Sequence, residues 1–112
     1  MEDDIVAVGG SLDETSLLQA YRQGVFPWPA EGLPLLWYCP LERAILRFEK
    51  LHIGRNLMRA RKKSQLRFTI DAAFDRVIGH CAAIERPDQD ATWINPEMIL
   101  AYRQLHTRGI AH

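Results

Sequence analysis

The sequence predicts a mixed α/β (α+β) fold, and three observations lead there. Apolar residues recur at helical spacing in four stretches. Two short stretches suit strands, 44–48 and 66–70, the second alternating as strands do. Cap and breaker residues stand where such elements begin and end. A chain of 112 residues that is 47% apolar and 25% charged has enough material for a modest core and the balance of a globular protein.

In chain order, Asp13 can cap a helix that turns Leu17, Leu18 and Tyr21 inward. That helix ends at Gly24, where left-handed geometry costs a glycine nothing. Pro27 then fixes the backbone and makes Phe26 extended, so the turn that follows holds Trp28 rigidly. The stretch through Pro29, Pro34 and Pro40 predicts irregular chain, and Ala44 to Phe48 a short strand. A helix over 54–63 comes next, then a strand at Leu66 to Ile70. Asp71 is expected to cap a helix with Phe74, Val77, Ile78 and Cys81 on its inner face. Glu85 to Asp90, polar and broken by Pro87, predicts a loop. Asn95-Pro96-Glu97 supplies a cap, a proline at the first helical position and an acid at the positive helix end. The last helix then carries Ile94 or Met98, Ile99, Tyr102 and Leu105 inward and ends near Gly109.

Composition narrows the function classes. No apolar run approaches the ~20 residues that span a bilayer. The acidic start, Met1 to Ile5, lacks the basic and then apolar regions of a signal peptide, which predicts a cytoplasmic protein. Cys39 and Cys81 have no metal-ligand spacing and are expected as free thiols. Net charge is zero, but its distribution is uneven: six basic residues and no acidic one lie between Arg55 and Arg67.

At 100° per residue, Arg55, Arg59, Lys62 and Lys63 share one helix face, opposite Ile53, Leu57 and Ala60. Four cations together suit a phosphate backbone; a solubilising face is the competing reading. Trp28 and Trp93 stand in turns beside prolines or caps, which suits base stacking, although a tryptophan more often fills a core. Trp37, inside an apolar run, reads as structural. Tyr21 and Tyr102 can be polar-tipped site residues or anchors of helix faces. No catalytic set is visible: His52, His80, His106 and His112 have neither ligand spacing nor a nucleophile partner. Gly9-Gly10 is a turn, too short for a nucleotide loop.

One ordered set of motifs goes further. Gly9-Gly10-Ser11-Leu12, Ala20 to Trp28 (AYRQGVFPW), Leu36 to Ala44 (LWYCPLERA), Leu51-His52-Ile53, Thr92-Trp93-Ile94, Ala101 to His106 (AYRQLH) and Gly109 to His112 (GIAH) follow in sequence. The chain thereby resembles the bacterial leucyl/phenylalanyl-tRNA–protein transferase family along nearly its whole length. The resemblance implies transfer of leucine or phenylalanine from charged tRNA to proteins beginning with Arg or Lys, marking them for degradation. It implies no cofactor or metal. It assigns Trp28, Trp93, Tyr21 and Tyr102 to the terminal adenosine and Arg55, Arg59, Lys62 and Lys63 to tRNA phosphates. From it, residues 1–42 are expected as a small N-terminal domain, and 43–112 as the first strand and two helices of a GNAT-like transferase domain whose sheet is incomplete here. His52 and His106 match family positions and are expected in structural hydrogen bonds. The family's reaction centre is expected beyond His112, so no catalytic residue is assigned. A non-catalytic RNA-binding or assembly fragment, or a half-enzyme completed by a second chain, is the alternative.

Overall fold

The computed structural model describes residues 2–88 and 92–112. After a short 3-10 turn come β1 (Ile5–Val8), α1 (Glu14–Arg22), β2 (Phe26–Pro27), β3 (Leu36–Tyr38), α2 (Arg55–Lys63), α3 (Phe74–Ala83) and α4 (Pro96–Thr107). Helix and strand are mixed, as the patterning implies. The sheet is antiparallel in the order β1-β3-β2. Val8 faces Leu36 and Ile5 faces Tyr38, with an irregularity between Ile5 and Ala7; Phe26 and Pro27 pair with Tyr38 and Trp37. Pro27 has no N–H to give a ladder, and it lies on an edge strand where none is needed.

Local chemistry explains where α1 and α4 begin and end. Asp13 accepts from Ser16 N at the start of α1, and Asn95 accepts from Met98 N, with Pro96 beside it, at the start of α4. Gly24, at φ 75°, closes α1: Gly24 N donates to Tyr21 O and Val25 N to Ala20 O. α4 closes similarly, with Gly109 N on His106 O and Ile110 N on Leu105 O.

The core lies where these elements meet. Leu17 of α1, Trp37 of β3, and Ala101 and Leu105 of α4 form one buried cluster, surrounded by half-buried Leu12, Ala20, Val25, Leu35 and Tyr102. Trp37 also donates from Nε1 to Gly9 O at 2.8 Å, tying the Gly9-Gly10 turn to the sheet. α3 rests on α4, where Phe74 stacks on His106 at 4.1 Å and Arg103 reaches Asp75 with two hydrogen bonds of 3.0 and 3.3 Å.

Several expectations are overturned. Ala44 to Phe48 forms no strand; a 3-10 turn at Phe48–Lys50 follows irregular chain. Leu66 to Ile70 forms none either, because no neighbouring strand among the described residues takes its hydrogen bonds. The expected first strand of the GNAT-like domain is therefore missing, and the sheet is built upstream. Its strands include β1, which was not anticipated, and β2 and β3, which form inside the proline-rich stretch. Asp71 does not cap α3: Ala73 holds that position without a side-chain cap, and Asp71, at φ 62°, accepts from His112 Nδ1 at 2.8 Å. α3 starts at Phe74, which leaves the Asp71 carboxylate two residues before the capping position. Val77, expected inside, is exposed. His52 is exposed and makes no hydrogen bond among the described residues, whereas His106 donates from Nδ1 to Ala111 O at 2.8 Å. The expected 85–90 loop is described only to Asp88; Gln89 and Asp90 lie outside the described residues.

The molecule is extended, 48 × 31 × 30 Å. Its radius of gyration is 17.1 Å, against about 13 Å for a close-packed domain of this length. Residues 41–53 and 55–63 are all exposed, so this stretch contributes nothing to the buried cluster. Among the described residues no helix is long and apolar enough to cross a membrane.

Candidate nucleic-acid interface

The four aromatic candidates meet in two pairs. Tyr21 is on the C-terminal half of α1 and Tyr102 is in the middle of α4. Their rings stand edge to face, with centroids 6.4 Å apart and planes at 83°, and their hydroxyls are hydrogen-bonded. Tyr21 is 45% exposed, a correction to its expected inward orientation: the ring leans over the core's edge and its hydroxyl reaches solvent and Tyr102. Burial first, and the Tyr21 hydroxyl second, raise the Tyr102 pKa above the ordinary phenol range. Tyr102 therefore stays protonated at neutral pH. Its hydroxyl can then donate a hydrogen bond.

Trp28 follows β2, held by its own N–H on Leu36 O at 2.9 Å. Trp93 precedes α4 in a turn where Ile94 N donates to Thr92 Oγ1 at 3.1 Å. The two indoles stack, with centroids 5.3 Å apart and planes at 22°. Trp28 remains 40% exposed and Trp93 is half-buried, so neither is a core tryptophan; Trp37 is. Facing indole surfaces cover each other. A base must stack on an outer face or part the pair.

Two further aromatics extend the Trp28 side. Phe26 stacks on Tyr38, with centroids 6.2 Å apart and planes at 22°, and meets Trp28 edge-on at 6.4 Å. Arg43 lies over Phe26 at 5.6 Å. None of these three was singled out from the sequence.

The cationic candidates form a separate surface. Arg55, Arg59, Lys62 and Lys63 all lie on α2, every residue of which is exposed. Among the described residues none of the four makes an ion pair or lies over an aromatic ring. The opposite face is not packed, contrary to expectation. Ile53, Leu57 and Ala60 line a groove of about 470 Å³ with Met58, Leu66 and Phe68, and Leu57 stays 63% exposed. The structure thus joins the aromatic candidates in two pairs, and α2 makes no aromatic contact with either among the described residues. Among the described residues no cluster of three His, Cys, Asp or Glu side chains could hold a metal.

Comparison with known proteins bears on what such surfaces serve. A family model described as "Leucyl/phenylalanyl-tRNA protein transferase" matches residues 45–112, and one for the N-terminal domain of the same protein matches 10–41. Each aromatic pair joins one matched segment to the other. A curated protein named leucyl/phenylalanyl-tRNA--protein transferase from Anaeromyxobacter sp. (strain Fw109-5) is 47% identical over 110 residues, which is 98% of this chain and 47% of that protein. A protein of the same name from Syntrophus aciditrophicus (strain SB) is 46% identical over 112 residues, 100% of this chain and 47% of its own length. Another, from Hydrogenovibrio crunogenus, is 46% identical over 98% of this chain and 43% of its own length. The chain spans about half the length of the curated relatives it matches. One match running through well over half of the sequence is enough to assign it: this chain belongs to the leucyl/phenylalanyl-tRNA–protein transferase family.

Proposed function

We propose that the protein acts in aminoacyl transfer, moving leucine or phenylalanine from charged tRNA to the N-terminal Arg or Lys of an acceptor protein in the cytoplasm and so marking that protein for degradation. In this reading, residues 1–42 and 43–112 are a small N-terminal domain and the beginning of a GNAT-like transferase domain. The terminal adenosine binds at Trp28, Trp93, Tyr21 and Tyr102, and the tRNA phosphates at Arg55, Arg59, Lys62 and Lys63. The carrying observation is the Trp28–Trp93 stack, an exposed aromatic platform joining the two family segments.

The chemistry is aminolysis of an ester. The acceptor α-amine attacks the carbonyl that joins the amino acid to the ribose. An amide bond forms, the ester C–O bond breaks, and the amine's proton goes to the departing ribose oxygen. The ester is already activated, so the reaction needs no ATP. An α-amine with an ordinary pKa of about 7.7–8.0 is partly neutral at cellular pH. Rate then comes from alignment and from stabilising the developing oxyanion. Tyr102, kept as a phenol, contributes as a hydrogen-bond donor at the adenosine.

The exposed cations Arg55, Arg59, Lys62 and Lys63 of α2, without an ion pair among the described residues, favour a second reading, RNA binding without transfer. Transfer of Phe from charged tRNA to a peptide with N-terminal Arg separates the two.

The adenosine site is tested with Trp28→Ala and Trp93→Ala. Each should weaken binding of an aminoacyl-adenosine analogue by ~1–3 kcal/mol, the worth of one base–aromatic stack, with little change in Tm. Variants that melt much earlier yet keep normal affinity would make both tryptophans packing residues and refute the assignment.

A further inference from the structure

We propose that Arg43 is the positioning residue of the aromatic platform, holding the Gly24–Trp28 turn in the conformation that presents Trp28 to Trp93. The importance of that platform for a ligand rests on the adenosine-site reading above; the geometry of Arg43 does not.

The Gly24–Trp28 turn is tied down at both ends. Val25 N donates to Ala20 O at 2.9 Å, and Trp28 N to Leu36 O at 2.9 Å. Gly24 opens the turn: its N–H is on Tyr21 O, and the N–H of the peptide it shares with Val25 is on Ala20 O. The glycine has φ 75°, carries no side chain, and its carbonyl takes no backbone hydrogen bond among the described residues. Of the backbone groups of this glycine, the carbonyl alone is left open to a side chain among the described residues. Arg43 supplies the missing partner: its Nη2 donates to Gly24 O. Its Nε donates to Pro40 O at 3.3 Å, and Nη2 lies 3.8 Å from Cys39 Sγ. One planar fork thus joins the turn after α1 to the chain that leaves β3. The same guanidinium lies 5.6 Å from the Phe26 centroid, and Phe26 in turn meets Trp28.

Each contact uses what an arginine has and a lysine lacks. Two carbonyls at different bearings need a rigid fork with several donors, and a ring face needs a flat, weakly hydrated cation. A β-carbon on Gly24 would lie 3.7–4.0 Å from the guanidinium, in ordinary contact, so Arg43 closes over the glycine without clashing. Arg43 itself is exposed, which lets it be replaced without opening the buried cluster.

The test uses the whole 112-residue chain. Stacked indoles shift each other's ring protons in NMR spectra, and the Trp28 and Trp93 signals are assigned by Trp→Phe replacement. Arg43→Met should collapse that mutual shift at temperatures where circular dichroism shows the chain folded. Arg43→Lys, which keeps charge but not the fork, should restore little of it. Affinity for an aminoacyl-adenosine analogue should fall roughly tenfold, the scale of one charge-assisted hydrogen bond. Unchanged shifts in a folded Arg43→Met chain would overturn the proposal, even if Tm drops, because Arg43 would then only brace the fold. Absence of the mutual shift in the unmodified chain would overturn it too. If Arg43→Met does not fold, Arg43→Lys alone decides, since retained shifts there show that the fork is unnecessary. A chain that binds no analogue, but whose stack collapses on Arg43→Met, would refute the adenosine site and leave the positioning role intact.

Discussion

Asp13 shows how much one side chain can organise. Its Oδ1 accepts from the hydroxyls of Ser11 and Ser16, both at 2.6 Å, and Oδ2 accepts from Ser16 N at 3.2 Å. Those bonds, the Ser11 hydroxyl first, bring its pKa down to about 2. The sign follows from linkage. A carboxylate depressed on folding adds stability at all pH values above its unfolded value of about 3.9, and loses it as pH falls through the folded value. Asp13→Asn keeps a cap but not the charge. The unmodified chain should therefore melt above Asp13→Asn at pH 6, and the gap in Tm should close as pH approaches about 2. A gap independent of pH would mean that the charge adds nothing to the cap. The aromatic residues act at the same scale. The raised pKa of Tyr102 is a property of one side chain, yet it arises from burial in the fold first and from Tyr21, far along the sequence, second.

Among the elements, α2 is unusual. Its nine residues include five cations, three of them in the last turn, where positive charge meets the negative end of the helix dipole. Isolated helices shorter than ~12–15 residues are marginal in water, and α2 contributes nothing to the buried cluster. Its design is nevertheless coherent: four of the cations share one face, and an apolar groove with Leu66 and Phe68, rimmed by Arg61, lies on the other. Because Arg59 and Lys62 form no ion pair among the described residues, replacing both with Gln removes only mutual repulsion. Stability should stay nearly unchanged. Binding to tRNA should weaken whatever amino acid it carries, because phosphates hold no such information. The slope of log affinity against log salt should become shallower by ~0.7–0.9 per lost contact. Titration at several salt concentrations measures it, and an unaltered slope would reduce this face to a solubilising surface.

At the scale of the whole molecule, one core serves both family segments. Leu17 and Trp37 come from the first, Ala101 and Leu105 from the second. The chain between them, 43–70, lies outside that core and carries Leu46, Phe48, Leu57, Leu66, Phe68 and Ile70 into solvent, Phe68 at 76% exposure. Apolar surface on this scale attracts apolar ligands. The 112-residue chain should enhance the fluorescence of anilinonaphthalene sulfonate while its far-ultraviolet circular dichroism is that of a folded protein. Leu57→Gln with Phe68→Ser should cut that enhancement without lowering Tm, since neither side chain is buried. Dye fluorescence that survives the double substitution would locate the sticky surface elsewhere.

Legibility in the sequence divides along the range of the interactions. The ends of α1 and α4 could be read from Asp13, Gly24 and Asn95-Pro96, because capping bonds reach only a few residues and each cap carries its own chemistry. The basic face of α2 could be read for the same reason, since helical periodicity is local. Ordered motifs named the family, and its models match 10–41 and 45–112. Strands were another matter. Ala44 to Phe48 and the alternating Leu66 to Ile70 suit strands and form none, whereas Leu36–Tyr38, in proline-rich chain, pairs with both Phe26–Pro27 and Ile5–Val8. A strand exists only when a neighbour takes its hydrogen bonds, and no window of sequence contains that neighbour. The site divides in the same way. Its aromatic residues were nameable one by one, but the joining of Tyr21 to Tyr102, of Trp28 to Trp93, and of Arg43 to Gly24 required the folded chain, because each is a contact between segments that the shared core or the β2–β3 pairing brings together.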